Sequence, residues 1–590
     1  MSSRSWVLFN VWVAAVVFSP PAALFAADDY PPHPDSLVQP GVPTGDLIKF
    51  ELTSAGIFPG TSREVTVYVP KQYDPAHPAC VYVNQDGVQW NAPVVFDNLI
   101  ARGDIPVLVG VFIRPGVVKP LDPERALPRF NRSLEYDGLG DDYARFVLEE
   151  VLPAVEGKTT PDGRAIRLSK SGNDRAIGGS SSGAIAAFTA AWERPEAFSR
   201  VFSAIGTYVG LRGGDGYATL IRKFEPKPLR IFLQGGSQDN NIYAGDWWMA
   251  NQMLERALTF AGYDVSHVWG EGGHNGRHAT SLFPDAMRWL WRAWPTPIEV
   301  VAPTRNAFLK EILIPGETWE IVSEGHQSTR AVAVNGVGEV FFTDAGAGKS
   351  FFISKEGKVK EVSSSVGPGG GQQFGKNGRR YSVSRETGQV IAYPAGAASE
   401  VVAEGLFGRD LAVTHSGNLY VIASNASGRD ESRIWLLRPD GNRVAMTFAV
   451  RSPGGMALSP DQSLLYITDR DSKWVYSYQL QLDGTLAHEQ RYGWLHVLDT
   501  EAAGGIKGVC CDREGRVYVG TQMGIQICDQ AGRVNAILPI PDRRATQLTF
   551  GGESFDSIYA VGADKVYRRK VRAQGVLSFA APVKPAPPRL

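Results

Sequence analysis

The sequence predicts two fold classes in series, an α/β half followed by an all-β half, and three observations carry that prediction. Residues 46–297 alternate short apolar runs with amphipathic stretches, as a mostly parallel sheet covered by helices on both faces requires. After the turn Pro295-Thr296-Pro297 the texture changes to short strands and glycine turns with no long helix. Within that second half, Gly338-Glu339-Val340-Phe341-Phe342-Thr343-Asp344 recurs in form around Tyr381, Tyr420, Tyr466, Tyr518 and Tyr559. The period is roughly 40 to 50 residues, the length of a four-stranded blade. Six such copies predict a six-bladed β-propeller.

In chain order, residues 1–27 carry Arg4, a short apolar core from Trp6 to Phe18 and small residues near Ala26, which together predict a secretory signal peptide. Residues 28–45 are rich in proline and aspartate and predict an extended leader. Strands are then expected over 48–53, 64–69, 79–84 and 107–113, a helix over 141–155, and further strands at 201–205, 229–234 and 265–269. Helices are expected over 243–261 and 284–293, a linker over 298–309, the propeller over 310–572 and a tail over 573–590. Nothing after the signal peptide has an apolar run long enough to span a membrane, so the mature protein is expected to be exported and soluble, periplasmic or secreted.

Sixty basic against sixty-one acidic residues leave a net charge of −1 and no basic tract, which argues against a nucleic-acid partner. The four cysteines, Cys80, Cys510, Cys511 and Cys528, have neither metal-site nor disulfide-framework spacing, although Cys511 and Cys528 could be bonded in an oxidising compartment.

The chemistry centres on Gly179-Ser180-Ser181-Ser182-Gly183, a G-x-S-x-G that follows the apolar run Arg175-Ala176-Ile177 and opens a small-residue helix. A serine on such a strand-turn-helix elbow has its hydroxyl lifted clear of the sheet, so Ser181 is the candidate nucleophile. Asp239 follows the strand at 229–234 and His274 follows the strand at 265–269, each on a glycine-containing loop. The order Ser, Asp, His, each past a strand end, is that of the α/β-hydrolases. A serine hydroxyl needs a base, and His274 would supply it; Asp239 would fix the tautomer of that histidine. Backbone amides of Ser182 and Gly87 are the candidate oxyanion hole. Asp246 is set aside as lying inside a helix, and His267 and His278 as packing or surface residues.

These residues carry a resemblance. Tyr68-Val69-Pro70 with Tyr73, Gln85-Asp86-Gly87, the serine motif, Gly236-Ser237-Gln238-Asp239 and Gly272-Gly273-His274-Asn275 make residues 46–297 similar to the putative esterase family of esterase D, enterochelin esterases and feruloyl esterases. The resemblance implies an acyl-serine mechanism without a cofactor, with Ser181, Asp239 and His274 as the triad. Asn275 departs from the acidic residue often found there in the family, which touches substrate contacts rather than the triad. Trp90, Trp247 and Trp248 are candidate platforms for a sugar or phenolic ring, and Arg132 a candidate for a polar substrate group, with an Arg132–Glu135 ion pair as the alternative.

Residues 310–572 resemble the gluconolactonase-like propellers, most clearly at Met456-Ala457-Leu458-Ser459-Pro460-Asp461, Leu465-Tyr466-Ile467-Thr468-Asp469 and Asp483-Gly484-Thr485-Leu486. Those propellers hydrolyse lactones with an axial divalent metal held by acidic and asparagine side chains. Here Arg330, Arg409, Gly454 and Lys507 stand at the corresponding places. Arginine and lysine offer a metal no lone pair, so no bound metal and no lactonase activity are expected. Arg330, Arg409 and Lys507 are instead a candidate anion site, for instance for the carboxylate of a uronic acid.

The function expected is therefore an exported serine ester hydrolase acting on a small-molecule or polysaccharide ester, feruloyl or acetyl, with an accessory propeller that assists binding or packs beside the active site. The alternatives are a siderophore esterase, a propeller lactonase and a non-catalytic carbohydrate-binding protein.

Overall fold

The computed structural model of the chain describes residues 30–362, 370–424, 432–497 and 506–588. The expected signal peptide lies outside the described residues, and among those described no helix is long and apolar enough to cross a membrane.

The first half folds around one sheet. Its main strands are β1 (Asp46–Thr53), β2 (Ser62–Val69), β3 (Cys80–Gln85), β4 (Leu108–Ile113), β5 (Arg175–Ser180), β6 (Arg200–Ala204), β7 (Arg230–Gln238) and β8 (Asp264–Gly273). They run in the order β1-β2-β4-β3-β5-β6-β7-β8, and two short segments extend the edge beside β2. From β4 to β8 all pairs are parallel; β1 and β2 are antiparallel additions at the edge. Every residue of β3 and β4 is buried, as expected of strands covered on both faces, whereas β1 alternates between half-buried and exposed positions.

Helices α1 (Ala92–Arg102), α2 (Ser182–Glu193), α3 (Tyr217–Lys223), α4 (Trp247–Ala261) and α5 (Arg277–Trp291) cover the sheet. The helix expected over 141–155 is present but contains a π-helical segment, Val147–Val151, between Asp142–Phe146 and Leu152–Glu156. The helix expected from Pro284 instead begins at Arg277 and carries Pro284 inside it. Helix α1 has Pro93 in its first turn and a left-handed Gly103 at its end, boundary signals that sequence reading passed over.

Six four-stranded sheets form the second half. The six copies of the sequence repeat all fall on the second strand of their blades, from Val340–Asp344 to Ser557–Val561. The sixth blade takes its outermost strand, Glu320–Ser323, from the start of the domain, so the ring is closed by main-chain hydrogen bonds between its two ends. The expected linker holds a helix, Ala307–Ile312, capped by Asn306, whose amide also donates to Arg222 O (2.9 Å) and Asn535 O (2.8 Å). All four cysteines are free, so Cys511 and Cys528 are not bonded.

Several contacts join the two halves. Phe224 bridges to Ile537 on the outer strand of the fifth blade, Arg569 holds Glu225 with two hydrogen bonds (2.7 and 2.8 Å), and Arg543 pairs with Asp141 and Glu193. Glu193 ends α2 and residues 224–225 precede β7, so these contacts lie at the amino-terminal edge of the sheet. At that contact the 12 residues of α2, about 18 Å of helix, separate Ser181 from Glu193, while Trp494, His496 and Val497 of the propeller line a cavity together with Leu139, Arg212 and Gly213.

Candidate active site

Strand β5 delivers Ser181 to α2 through a turn with no room for side chains. A Cβ on Gly179 would lie 2.3 Å from the carbonyl carbon of Gly183, and one on Gly183 would meet Asp86 Oδ2 at 3.0 Å. Ser181 itself sits at φ 58°, ψ −122°, a conformation that costs a non-glycine residue about 1–3 kcal/mol and is held by the packed strand and helix on either side. Its amide donates to Ala204 O at 3.0 Å.

The structure brings the three expected residues together. His274 Nε2 is 2.9 Å from Ser181 Oγ, and His274 Nδ1 is 2.5 Å from Asp239 Oδ1. Asp239 is buried, with its side chain 1% exposed, and Oδ1 also accepts the Asn240 amide at 2.7 Å. A carboxylate facing Nδ1 requires the N–H there and leaves Nε2 to accept the serine proton. The rivals are elsewhere. Asp246 caps α4 by accepting the Met249 amide, rather than lying within the helix; His267 stacks on Trp269; His278 is buried against Tyr30 and hydrogen-bonds Gln234.

Ser182 is the first residue of α2, where amides have no intrahelical acceptor and the helix dipole is positive, so its N–H is available to a developing oxyanion. Gly87 is not available in the same way: its amide donates to Ile113 O at 3.0 Å. The neighbouring Asp86 amide faces the Tyr136 hydroxyl at 3.3 Å.

Three of the four substrate candidates have structural roles. Trp90 is 5% exposed and packs against Phe202 and Phe283 in the aromatic core, where no substrate ring can lie on it. Trp248 packs edge-on against Trp269. Arg132 is held by Asp86 through two hydrogen bonds of 2.8 Å, and Glu135 by buried Arg63, so the Arg132–Glu135 pair does not form. The Asp86 hydrogen bonds, against burial, raise the Arg132 guanidinium above its ordinary range. The fourth, Trp247, is 4% exposed and presents its edge to the His274 ring, 5.8 Å between centroids. It touches the base rather than offering a platform.

Two residues that sequence reading missed belong to the site. Thr207 Oγ1 lies 3.2 Å from Ser181 Oγ and accepts the Trp247 indole N–H, also at 3.2 Å. Tyr30, in the leader, accepts the Glu271 and Gly272 amides of the segment leading to His274 at 2.9 and 3.1 Å. Thr207 follows the end of β6, the positional signal that marked Asp239 and His274; Tyr30 had no such signal. A cavity of about 400 Å³ is lined by Tyr208 and Asp246, the chain neighbours of Thr207 and Trp247, and by Val209 and Met249 among others, with Met249 and Met253 half exposed and no triad residue in its lining. Another, of about 300 Å³, lies in the seam between the halves, lined by Glu193, Phe224, Trp319 and Arg543, far from Ser181.

Comparison with known proteins follows this division. Residues 57–291 match the family model described as Putative esterase, and residues 334–563 that described as SMP-30/Gluconolactonase/LRE-like region. A pentonolactonase of Haloferax volcanii is 25% identical over 134 residues, 22% of this chain and 45% of that protein, so the chain spans less than half of that relative's length. A gluconolactonase of Zymomonas mobilis is 25% identical over 257 residues, 39% of this chain and 71% of that protein. Among solved structures, the enterobactin esterase of Shigella flexneri is 22% identical with a TM-score of 0.34, covering 44% of this chain and 62% of its own.

Proposed function

We propose that this chain, which joins an esterase-family domain to a gluconolactonase-like six-bladed propeller, is a serine carboxylic ester hydrolase of the α/β-hydrolase type. The observation that carries this reading is the unbroken chain of hydrogen bonds from Ser181 Oγ through His274 to buried Asp239. His274 Nε2 takes the serine proton as Oγ bonds to the ester carbonyl carbon, and the oxyanion gathers against the Ser182 amide. The imidazolium, stabilised by Asp239, returns the proton to the departing alkoxide. The acyl-serine is then attacked by water, with His274 again the base, releasing the acid and restoring Ser181.

A carbohydrate-linked feruloyl or acetyl ester is the substrate class that best joins this chemistry to an exported protein. Export rests on the character of residues 1–27 and is tested by sequencing the amino terminus of protein recovered outside the cytoplasm. A siderophore ester is the runner-up of the same mechanism.

Likeness of the second half to lactonases supports another reading, lactone hydrolysis at the propeller. The cations at 330, 409 and 507 oppose it, and among the described residues no group of three His, Cys, Asp or Glu side chains could hold a metal. One experiment separates the two: hydrolysis of p-nitrophenyl acetate and methyl ferulate by the mature protein and by Ser181→Ala, each with and without chelator. The esterase reading expects a loss of about a thousandfold or more in the variant and no effect of chelator. Activity that survives the substitution and dies with chelator overturns it.

A further inference from the structure

The inner strands of the propeller form a ring around its axis, and hydrogen bonds fix their relative level. The Gln372 side chain of blade two donates to Ala331 O of blade one, and the Gly371 amide donates to Arg409 O of blade three at 2.9 Å. Asp410 accepts the Met456 amide of blade four (2.9 Å), while Thr468 of that blade donates to Lys507 O before blade five (2.8 Å). Gln547 of blade six accepts the Val332 amide of blade one (3.1 Å) and closes the circuit. Arg330, Arg409 and Lys507 therefore stand at one level around the axis.

The backbone is shaped there as well. Three inner strands break register at the matching place, between Arg330 and Ala333, Gly408 and Asp410, and Pro453 and Met456, and Ala331 takes a φ of 52°. Bulges re-aim side chains, here at the matching place on three inner strands. First and second strands are antiparallel, so the start of one lies beside the end of the next, as Pro453 beside Asp469. That geometry adds Arg385 and Arg470, just past second strands, and Arg544, just before blade six, to the same end.

Several arginines elsewhere are matched by carboxylates, as in Arg63–Glu135, Arg164–Asp46 and Arg516–Asp512. Arg330 and Arg470 instead donate to hydroxyls, Ser328 Oγ and Ser452 Oγ, and the buried Arg470 Nε has no hydrogen-bond partner among the described residues. Burial, and then Arg330, Arg470 and Arg544, hold the Lys507 ammonium below its ordinary value; burial, and then Arg385 and Arg470, do the same to Arg409 against the opposing charge of Asp471. Asp410, beside Arg409, is pushed up to about 7 by burial, with the Met456 and Leu411 amides opposing. This donor set does not fit a hard divalent cation.

We propose that this end of the propeller axis binds a multiply charged oxyanion, carboxylate or phosphate, through Arg330, Arg409, Arg470 and Lys507. Guanidinium groups on a fixed ring suit the planar or tetrahedral oxygens of such a ligand, and its charge relieves their mutual repulsion. The proposal stands independently of the esterase chemistry.

Calorimetric titration of the full-length protein with inorganic phosphate, citrate and an oligogalacturonate, beside a neutral maltooligosaccharide, tests it. The expectation is salt-sensitive binding of at least one anion at or below about 1 mM, none of the neutral sugar, and affinity weakened about tenfold or more by Arg330→Gln with Lys507→Gln. Arg568→Gln, at a surface pair with Glu320, is expected to leave it unchanged. Circular dichroism and p-nitrophenyl acetate hydrolysis report that the variants remain folded, and the exposed Arg330→Gln alone serves if the double variant does not. Which anion binds separates a phosphate from a carboxylate ligand. Absence of binding by all three, or binding indifferent to the ring substitutions, overturns the proposal.

Discussion

Thr207 completes the hydrogen bonds at Ser181. Asp239 on Nδ1 leaves His274 Nε2 as an acceptor, so Ser181 donates its one proton there, the arrangement attack requires. Thr207 Oγ1, which accepts the Trp247 indole N–H, therefore turns its own proton toward Ser181 Oγ. Thr207→Val removes that donor and leaves the Trp247 N–H buried without an acceptor, at a cost of about 1–3 kcal/mol. The expected outcome is a fall in kcat of about tenfold with KM nearly unchanged, and recovery in Thr207→Ser. Steady-state kinetics of the three proteins on p-nitrophenyl acetate check it; an unchanged kcat in the valine variant would remove Thr207 from the relay. Residue identity alone had placed the triad, because each member follows a strand end in a motif. Gly87 had the same kind of support and fails as a donor, because the Ile113 carbonyl that takes its amide comes from a neighbouring strand.

At the scale of elements, the strand-to-helix elbow depends on glycine for space more than for backbone freedom. Gly179 and the first turn of α2 are in van der Waals contact, and an added methyl meets backbone atoms that cannot swing aside. Gly179→Ala is expected to lower the melting temperature by several degrees and to abolish esterase activity, since α2 and the Ser182 amide must move. Gly216→Ala, where a Cβ meets nothing within 4 Å, is the matched control and is expected to be neutral. Thermal melts alongside activity separate the two effects. Strand existence was legible because buried runs such as Val81-Tyr82-Val83 are continuous. Helix limits were less so: Pro284 reads as a start signal, yet it lies inside α5.

At the scale of the whole molecule, the seam between the halves carries a pH-sensitive contact. Lys223 Nζ lies 2.8 Å from His496 Nε2, so the imidazole must stay neutral to accept the ammonium proton. Burial, followed by the nearby Lys223 and Lys473, lowers His496 from 6.5 to about 4. Between those values the unfolded chain binds a proton that the folded one refuses, so this contribution to stability is complete above 6.5 and declines as pH falls toward 4. Melting temperature measured across that range is expected to drop less steeply in His496→Gln than in the parent. Equal slopes would show that the contact does not govern acid sensitivity.

The sequence by itself determined the two fold classes, the six blades and the serine, aspartate and histidine that meet. All of these are written locally, as strand runs, turn glycines and residues at strand ends. Only the tertiary structure decided which residues of the first half meet the propeller, that Trp90 fills the core, that Arg132 is bound to Asp86, and that six cations gather at one end of the axis. Those outcomes depend on contacts between residues tens to hundreds of positions apart, such as Phe224 with Ile537, whose pairing no local pattern encodes. Packing sets them, because a buried group must find its partner wherever the folded chain brings one.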